Sequence, residues 1–219
     1  MEFFLDQEQM ALRARVRAWA EENLILAAQV ESDVETEARR LVKRLGEEEF
    51  AAYTVPRAYG GMKETVQARD LCILREELSR GSALADMMLG MQGLGSYPIT
   101  LAGNEEQKRC YLPAVARGEA IAAFAITEPE AGSDASALQT RAIRRGSQYY
   151  LTGVKRFISN AGIANLYVVF ASTEPEKKSK GISAFIVDAD TPRVVLKGKD
   201  APSVSTSDRR DRVGGVLYS

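Results

Sequence analysis

Residues Phe124 to Asp134 read Phe-Ala-Ile-Thr-Glu-Pro-Glu-Ala-Gly-Ser-Asp, and this segment carries the most chemical information in the chain. A β-type run, Ala120 to Ile126, ends abruptly at Thr127; a proline-stiffened acidic turn and a Gly-Ser-Asp corner follow. Such a turn holds a hydroxyl and several free backbone N–H groups at the mouth of a strand. Those donors suit the polar edge of a flat cofactor and an anionic phosphate beside it. Glu128 and Glu130 in the same turn are carboxylates of the kind used for acid–base work. Histidine is absent, which removes His-dependent triads and His-liganded metal sites. Two cysteines, Cys72 and Cys110, are too few for a zinc or iron–sulfur centre, and both read as buried reduced thiols. Difficult chemistry would rest on carboxylates, hydroxyls or an organic cofactor, and no metal site is expected.

Composition bounds the partners. The 219 residues suffice for one large domain or two small ones, and 29 basic against 30 acidic side chains give no sign of a nucleic-acid binder. No apolar run reaches the ~18 residues that a membrane span requires. The first residues, Met-Glu-Phe-Phe-Leu-Asp, lack a basic n-region and a cleavage site, so the expectation is a cytoplasmic protein.

The elements that must position the Thr127 turn change period halfway along. Asp6 with Gln9 forms a capping box, and Leu5, Leu12, Val16 and Trp19 then make one apolar stripe at helical spacing. Helices are expected over roughly Val34–Ala52, Gln67–Leu78, Ala83–Leu94 (small, Met-rich and therefore buried) and Glu105–Ala116. From Ala120 the period turns to strands. Thr140–Arg145 and Gln148–Thr152 flank Gly146-Ser147 as a hairpin, and Lys155–Ile158, Leu166–Ala171 and Ile182–Val187 follow. The polar loop Glu174–Lys180 separates the last two. The fold class is α+β: an N-terminal all-helical domain, then an antiparallel β-barrel or sandwich. The expected divisions are residues 1–118, 119–195 and a polar tail, 196–219, in which only Val213–Tyr218 reads as strand.

Five ordered segments carry a resemblance. They are Pro56-Arg-Ala-Tyr-Gly-Gly61, Gly103-Asn-Glu-Glu-Gln-Lys108 with Tyr111-Leu-Pro113, the Phe124–Asp134 segment, Lys155-Arg-Phe-Ile-Ser-Asn160, and Gly181-Ile-Ser-Ala-Phe-Ile-Val187. Together they resemble the acyl-CoA dehydrogenase family over about Phe3 to Arg193. The resemblance implies FAD as cofactor and α,β-desaturation of an acyl-CoA thioester, with a glutamate base and hydride transfer to the flavin. It also implies an electron-transferring flavoprotein as acceptor, and a homo-oligomer in the full-length family.

Residue by residue, the resemblance places Thr127 at the flavin N5/O4 edge, where a β-branched hydroxyl has few rotamers and presents a fixed donor. The plainer reading of Thr127 is a strand-end residue capping its own turn. Phe124 and Ile126 match positions lining the flavin side, though by themselves they read as core. Gly132 and Ser133 match the stretch that meets the pyrophosphate and the substrate. Phe157 stands where the family has an aromatic, commonly Trp, against the flavin ring; Ser159 stands for a Thr at the ring edge. Ser179 and Lys180 align with a loop that touches CoA, and also read as a solvated basic loop. The resemblance makes the turn with Glu128 and Glu130 structural. It puts the catalytic glutamate in a C-terminal helical domain beyond Ser219, so no catalytic residue is assigned and the chain alone is expected to be inactive. Two alternatives stay open: a related flavin monooxygenase or nitroalkane oxidase, and a non-catalytic fragment that binds a partner or a CoA ester.

Overall fold

The structure, a computed structural model, describes residues 4–25 and 33–191, and the backbone alone of residues 194–197, 203–206 and 215–217. The chain forms two compact units, residues 1–93 with 112–119, and residues 94–111 with 120–219.

The first unit is built on three helices. The N–H of Gln9 donates to Asp6 at 2.8 Å and the N–H of Asp6 to the Gln9 side chain at 3.3 Å, so the capping box starts α1 (Gln7–Ala20) where the sequence places it. Leu12, Val16 and Trp19 are buried as one stripe. Asp33 caps α2 (Val34–Glu47) by accepting the N–H groups of Glu35 and Thr36. That helix ends earlier than expected, because Glu49 takes a left-handed φ of 61° and a short 3-10 turn, Ala51–Thr54, follows. Phe50 then meets Trp19 edge-on at 5.4 Å. The third helix, α3 (Ala68–Gly81), buries Ile73, Leu74 and Leu78, and removing a side chain such as Leu74 would cost about 2–5 kcal/mol. A Cβ on Gly46 would lie 2.0 Å from the Arg117 carbonyl oxygen, so only glycine lets that loop cross α2 so closely.

The cysteine expectation is corrected. Cys72 and Cys110 are both exposed. On α3 the inward positions are Asp70, Ile73, Leu74, Glu77 and Leu78. Cys72 stands two residues from Asp70 and from Leu74, about 200° around the helix from each. Cys110 stands likewise two residues from buried Leu112. Apolar neighbours in sequence do not share a helical face.

Helix α4 runs from Ala83 to Ala102, past the expected stop at Leu94 and through Pro98. The proline deletes one backbone donor without ending the helix. Nor is α4 wholly buried as expected: Met87, Leu94, Tyr97 and Leu101 are exposed. A short link leads to α5 (Glu105–Ala116), where Asn104 and Gln107 form a second capping box at 2.8 and 2.9 Å. Among the described residues no helix is long and apolar enough to cross a membrane.

The second unit carries the strands: β1 (Ala122–Ala125), β2 (Arg141–Arg145), β3 (Gln148–Lys155), β4 (Leu166–Ser172), β5 (Ile182–Asp188), β6 (Val194–Lys197), β7 (Ser203–Thr206) and β8 (Gly215–Leu217). They make one sheet in the order β6-β7-β3-β2-β4-β5-β8, with β1 beside β4. The α+β order of the sequence therefore holds. The predicted hairpin is present, with Arg145 opposite Gln148 across Gly146 at φ 64°. Most ladders are antiparallel, while β1 and β4 run parallel and β2 meets β4 in one parallel bridge, Arg141 to Ser172. The separate strand expected at Lys155–Ile158 does not form. Instead β3 runs on to Lys155, and the chain turns at Phe157 with φ 58°. Two strands that were not expected also form: β6, Val-Val-Leu-Lys, which straddles the expected boundary at residue 195, and β7, Ser-Val-Ser-Thr, in the tail that reads as polar.

Candidate functional site

Pairing gathers five strand ends at one end of the sheet. Ala122 pairs with Leu166 and Ala125 with Val169, so β1 leaves toward the last residues of β4. There Ser172 bridges Arg141 at the start of β2 and faces Ile182 at the start of β5. Because Arg141 pairs with Thr152, β3 finishes at the same end. Phe124 lies in β1 itself, and Ile126, Thr127, Gly132, Ser133, Phe157 and Ser159 belong to the chain leaving β1 or β3. Ser179 and Lys180 lie on the 3-10 segment Pro175–Gly181 between β4 and β5, which packs against the turn Ala135–Ala137 that follows Ser133.

The turn after β1 is held tightly. The N–H of Glu128 donates to the Ala131 carbonyl at 2.9 Å, and the N–H of Ala131 donates back at 3.2 Å. This closes Glu128-Pro129-Glu130-Ala131 and carries Gly132 and Ser133 out to solvent. A Cβ on Gly132 would meet nothing within 4 Å, so the space beside it is open. Asp134 accepts the N–H of Ser136 at 3.0 Å and so caps the next turn. Ile126 and Thr127 are half-buried, and half-buried Phe124 leans on Phe170 at 4.9 Å.

The exit of β3 meets that turn. The N–H of Arg156 donates to the Thr127 carbonyl at 2.8 Å. The next residue, Phe157, is 65% exposed on its left-handed backbone, with the Arg156 guanidinium 4.7 Å from its ring centre. Ile158 is buried, Ser159 half-buried, and the Asn160 amide donates to the Ala122 carbonyl at 3.1 Å. An aromatic ring in a conformation that costs an L-residue ~1–2 kcal/mol, turned outward between two anchored neighbours, is held rather than merely exposed.

Beneath Thr127 lies a cluster that sequence reasoning did not assemble. Lys155 Nζ donates to Glu128 Oε1 at 2.7 Å and to the Ile126 carbonyl at 2.9 Å. Glu128 also accepts the backbone N–H groups of Gln139 and Thr140 and the Thr140 hydroxyl. The two charged side chains are 3% and 2% exposed. Burial pushes the Glu128 carboxyl up, but the bonds from Lys155, Thr140 and Gln139 outweigh it and hold it below its ordinary range. Burial likewise pulls the Lys155 ammonium down, and Glu128 only partly restores it. Gly153 matters here, since a Cβ on it would come within 2.2 Å of the Thr140 hydroxyl and push that donor off Glu128. The readable signal was strand parity. Leu151, Gly153 and Lys155 share one face of β3, and a lysine on an inward face requires a carboxylate.

Ser179 and Lys180 are exposed. Their segment is tied by the N–H of Thr173 to the Gly181 carbonyl at 2.9 Å and by the Lys177–Glu174 ion pair at 2.5 Å. Among the described residues no cluster of three or more His, Cys, Asp or Glu could hold a metal ion.

Comparison with known proteins now fixes the class. Residues 6–119 match the family model "Acyl-CoA dehydrogenase, N-terminal domain" and residues 123–213 "Acyl-CoA dehydrogenase, middle domain". The chain belongs to the acyl-CoA dehydrogenase family. It is 40% identical over 195 residues to an acyl-CoA dehydrogenase of Bacillus subtilis, covering 89% of this chain and 51% of that protein. It is 46% identical over 160 residues to cyclohex-1-ene-1-carbonyl-CoA dehydrogenase of Geobacter metallireducens, covering 72% and 40%. An acyl-CoA dehydrogenase complexed with FAD from Bacillus anthracis superposes with a TM-score of 0.84 at 28% identity, over 99% of this chain and 39% of that one. The chain thus spans about half the length of the curated relatives it matches.

Proposed function

We propose that this chain supplies one face of the flavin site of an FAD-dependent acyl-CoA dehydrogenase. The observation that carries the reading is the outward Phe157 ring on its left-handed backbone, bound through Arg156 to Thr127. The residues present fit the cofactor. Thr127 offers a rotamer-restricted hydroxyl and a backbone N–H, Phe157 a flat apolar face, and Ser159 a second hydroxyl. Gly132 leaves open space for close approach, and Ser133 adds a donor beside a pyrophosphate. Phe124 and Ile126 give the apolar side of the pocket. When bound, FAD would accept a hydride from the β-carbon of an acyl-CoA thioester.

Ser133, Ser179 and Lys180 are proposed to meet the CoA portion, where a lysine suits a phosphate. An electron-transferring flavoprotein is the proposed electron acceptor. No residue of this chain is assigned as the base that takes the α-proton. Glu128 is unsuited to that task, because its carboxylate already accepts four hydrogen bonds, one of them from the Lys155 ammonium.

The test is an FAD titration of the purified chain, read by quenching of flavin fluorescence. We expect saturable quenching that weakens in Thr127→Ala and Phe157→Ala while both variants stay folded by circular dichroism. A folded, colourless wild-type chain that leaves FAD fluorescence unchanged would sink the proposal.

A further inference from the structure

The Lys155–Glu128 pair is buried from solvent, and the function above gives it no role. Its connections are specific. One ammonium is shared between the Ile126 carbonyl and the Glu128 carboxylate, which are the residues on either side of Thr127. The next residue after Lys155 donates its N–H to the carbonyl of Thr127 itself. Two consecutive residues of the β3 exit therefore grip three consecutive residues of the β1 exit. Phe157 is the residue that follows. The pair is remote in sequence, 27 residues apart, and is made at a cost: a buried ion pair is often no more stable than apolar side chains of the same volume. An apolar pair would fill the space but could not fix the Ile126 carbonyl. Thr140 and the backbone of Gln139 and Thr140 satisfy the rest of the carboxylate, so the network is complete rather than partly made.

We propose that Lys155 and Glu128 are positioning residues that lock Thr127 and Phe157 to each other, setting the spacing between the polar-edge contact and the aromatic face of the proposed flavin site. This rests on the flavin reading for its purpose, but the lock itself is a property of the apoprotein. It predicts that Thr127 is among the most rigid residues at this end of the sheet although it is only half-buried. It also predicts that charge and hydrogen bonding, rather than volume, hold it so.

The test uses the full chain with Glu128→Leu/Lys155→Met, which replaces the pair by apolar side chains of similar size, and with Glu128→Gln as a second, nearly isosteric variant. Three readouts are taken: thermal unfolding, hydrogen exchange by NMR of the Arg156 amide, which donates to the Thr127 carbonyl, and FAD titration. We expect the double variant to unfold within a few degrees of wild type, while its Arg156 amide exchanges at least about tenfold faster and its FAD dissociation constant rises about tenfold, equivalent to about 1.4 kcal/mol. Glu128→Gln should move the last two in the same direction by a smaller factor. If both variants keep wild-type Arg156 protection and wild-type FAD affinity, the pair is a packing element and the proposal is overturned. If the double variant does not fold, Glu128→Gln decides on the same two readouts. If even the wild-type chain fails to take FAD, the flavin reading falls, while Arg156 exchange in the apoprotein still decides whether the lock exists.

Discussion

Each unit buries one carboxylate against basic partners, and the two are built differently. In the helical unit, Glu77 on α3 is fully buried and takes Arg13 and Arg17 of α1, with three bonds of 2.8 Å. Those arginines keep 23% and 38% of their side chains exposed. In the strand unit, Glu128 and its lysine are both removed from water. The guanidinium forks leave much of their charge hydrated, so only one ion of the Glu77 group bears the full desolvation cost, and the fork geometry returns strong bonds for it. The Lys155 pair desolvates both ions and uses a point-charge donor. The first arrangement stabilises a helix contact. The second is a poor way to gain stability and a good way to fix a geometry.

The sharpest way to break this contrast is to remove one partner from each cluster. Lys155→Met alone leaves a carboxylate buried without its cation and should cost about 3–5 kcal/mol in urea unfolding, most of it recovered by adding Glu128→Leu. Glu77→Ala should cost less, about 2 kcal/mol, because the freed arginines can hydrate. Little of that loss should be recovered by apolar substitution of Arg13. If Glu77→Ala proved costlier than Lys155→Met, partner exposure would not be the deciding difference.

A smaller effect separates stability from site geometry. Phe157→Gly should raise stability by about 1 kcal/mol, since glycine adopts φ 58° without strain. It should weaken FAD binding several-fold by deleting the ring, a loss of about 0.5–1.5 kcal/mol of aromatic contact. Equilibrium unfolding and FAD titration on the same variant would read the two opposed signs. A loss of stability would mean that Phe157 is packed, not held out.

What the sequence showed and what it hid follow the same division. The Asp6–Gln9 box, the Gly146 hairpin and the β1 run ending at Thr127 were legible because each depends on residues within a few positions. The cluster under Thr127 was not, because Lys155, Thr140 and Glu128 meet only once β1, β2 and β3 are aligned. The left-handed turn at Phe157 was hidden too. Lys-Arg-Phe-Ile reads as strand by propensity, and the anchors on Thr127 and Ala122 override it. Strand β7 pairs with β3 and β6 with β7; β6 is a run of only four residues and β7 has a single apolar one, so no apolar alternation announced them. The placement of the candidate residues at one sheet end likewise came from register rather than from motif.

The smallest effect is in the pH dependence, where the clusters differ on the alkaline side. Both carboxyls are held below their ordinary value of 4.5, Glu77 by Arg17 and Arg13, and Glu128 by Lys155, Thr140 and Gln139. Each therefore contributes stability that is full above about pH 4.5 and is lost as pH falls through the lower, folded value. Above neutrality they part. The folded Lys155 ammonium lies below its ordinary 10.5, so between the folded value and 10.5 the unfolded chain binds more protons than the native one, and this group's contribution rises with pH. The slope for one proton is at most about 1.4 kcal/mol per pH unit. Arg17 is pushed further up by Glu77 and does not titrate in that range. Urea midpoints of wild type minus those of Glu128→Leu/Lys155→Met should then fall toward acid and climb toward pH 10. The corresponding difference for Glu77→Ala should fall toward acid and stay flat in alkali. A flat alkaline difference for the double variant would show that Lys155 keeps an ordinary proton affinity in the fold, and with it the hydration that distinguishes the arginines of Glu77.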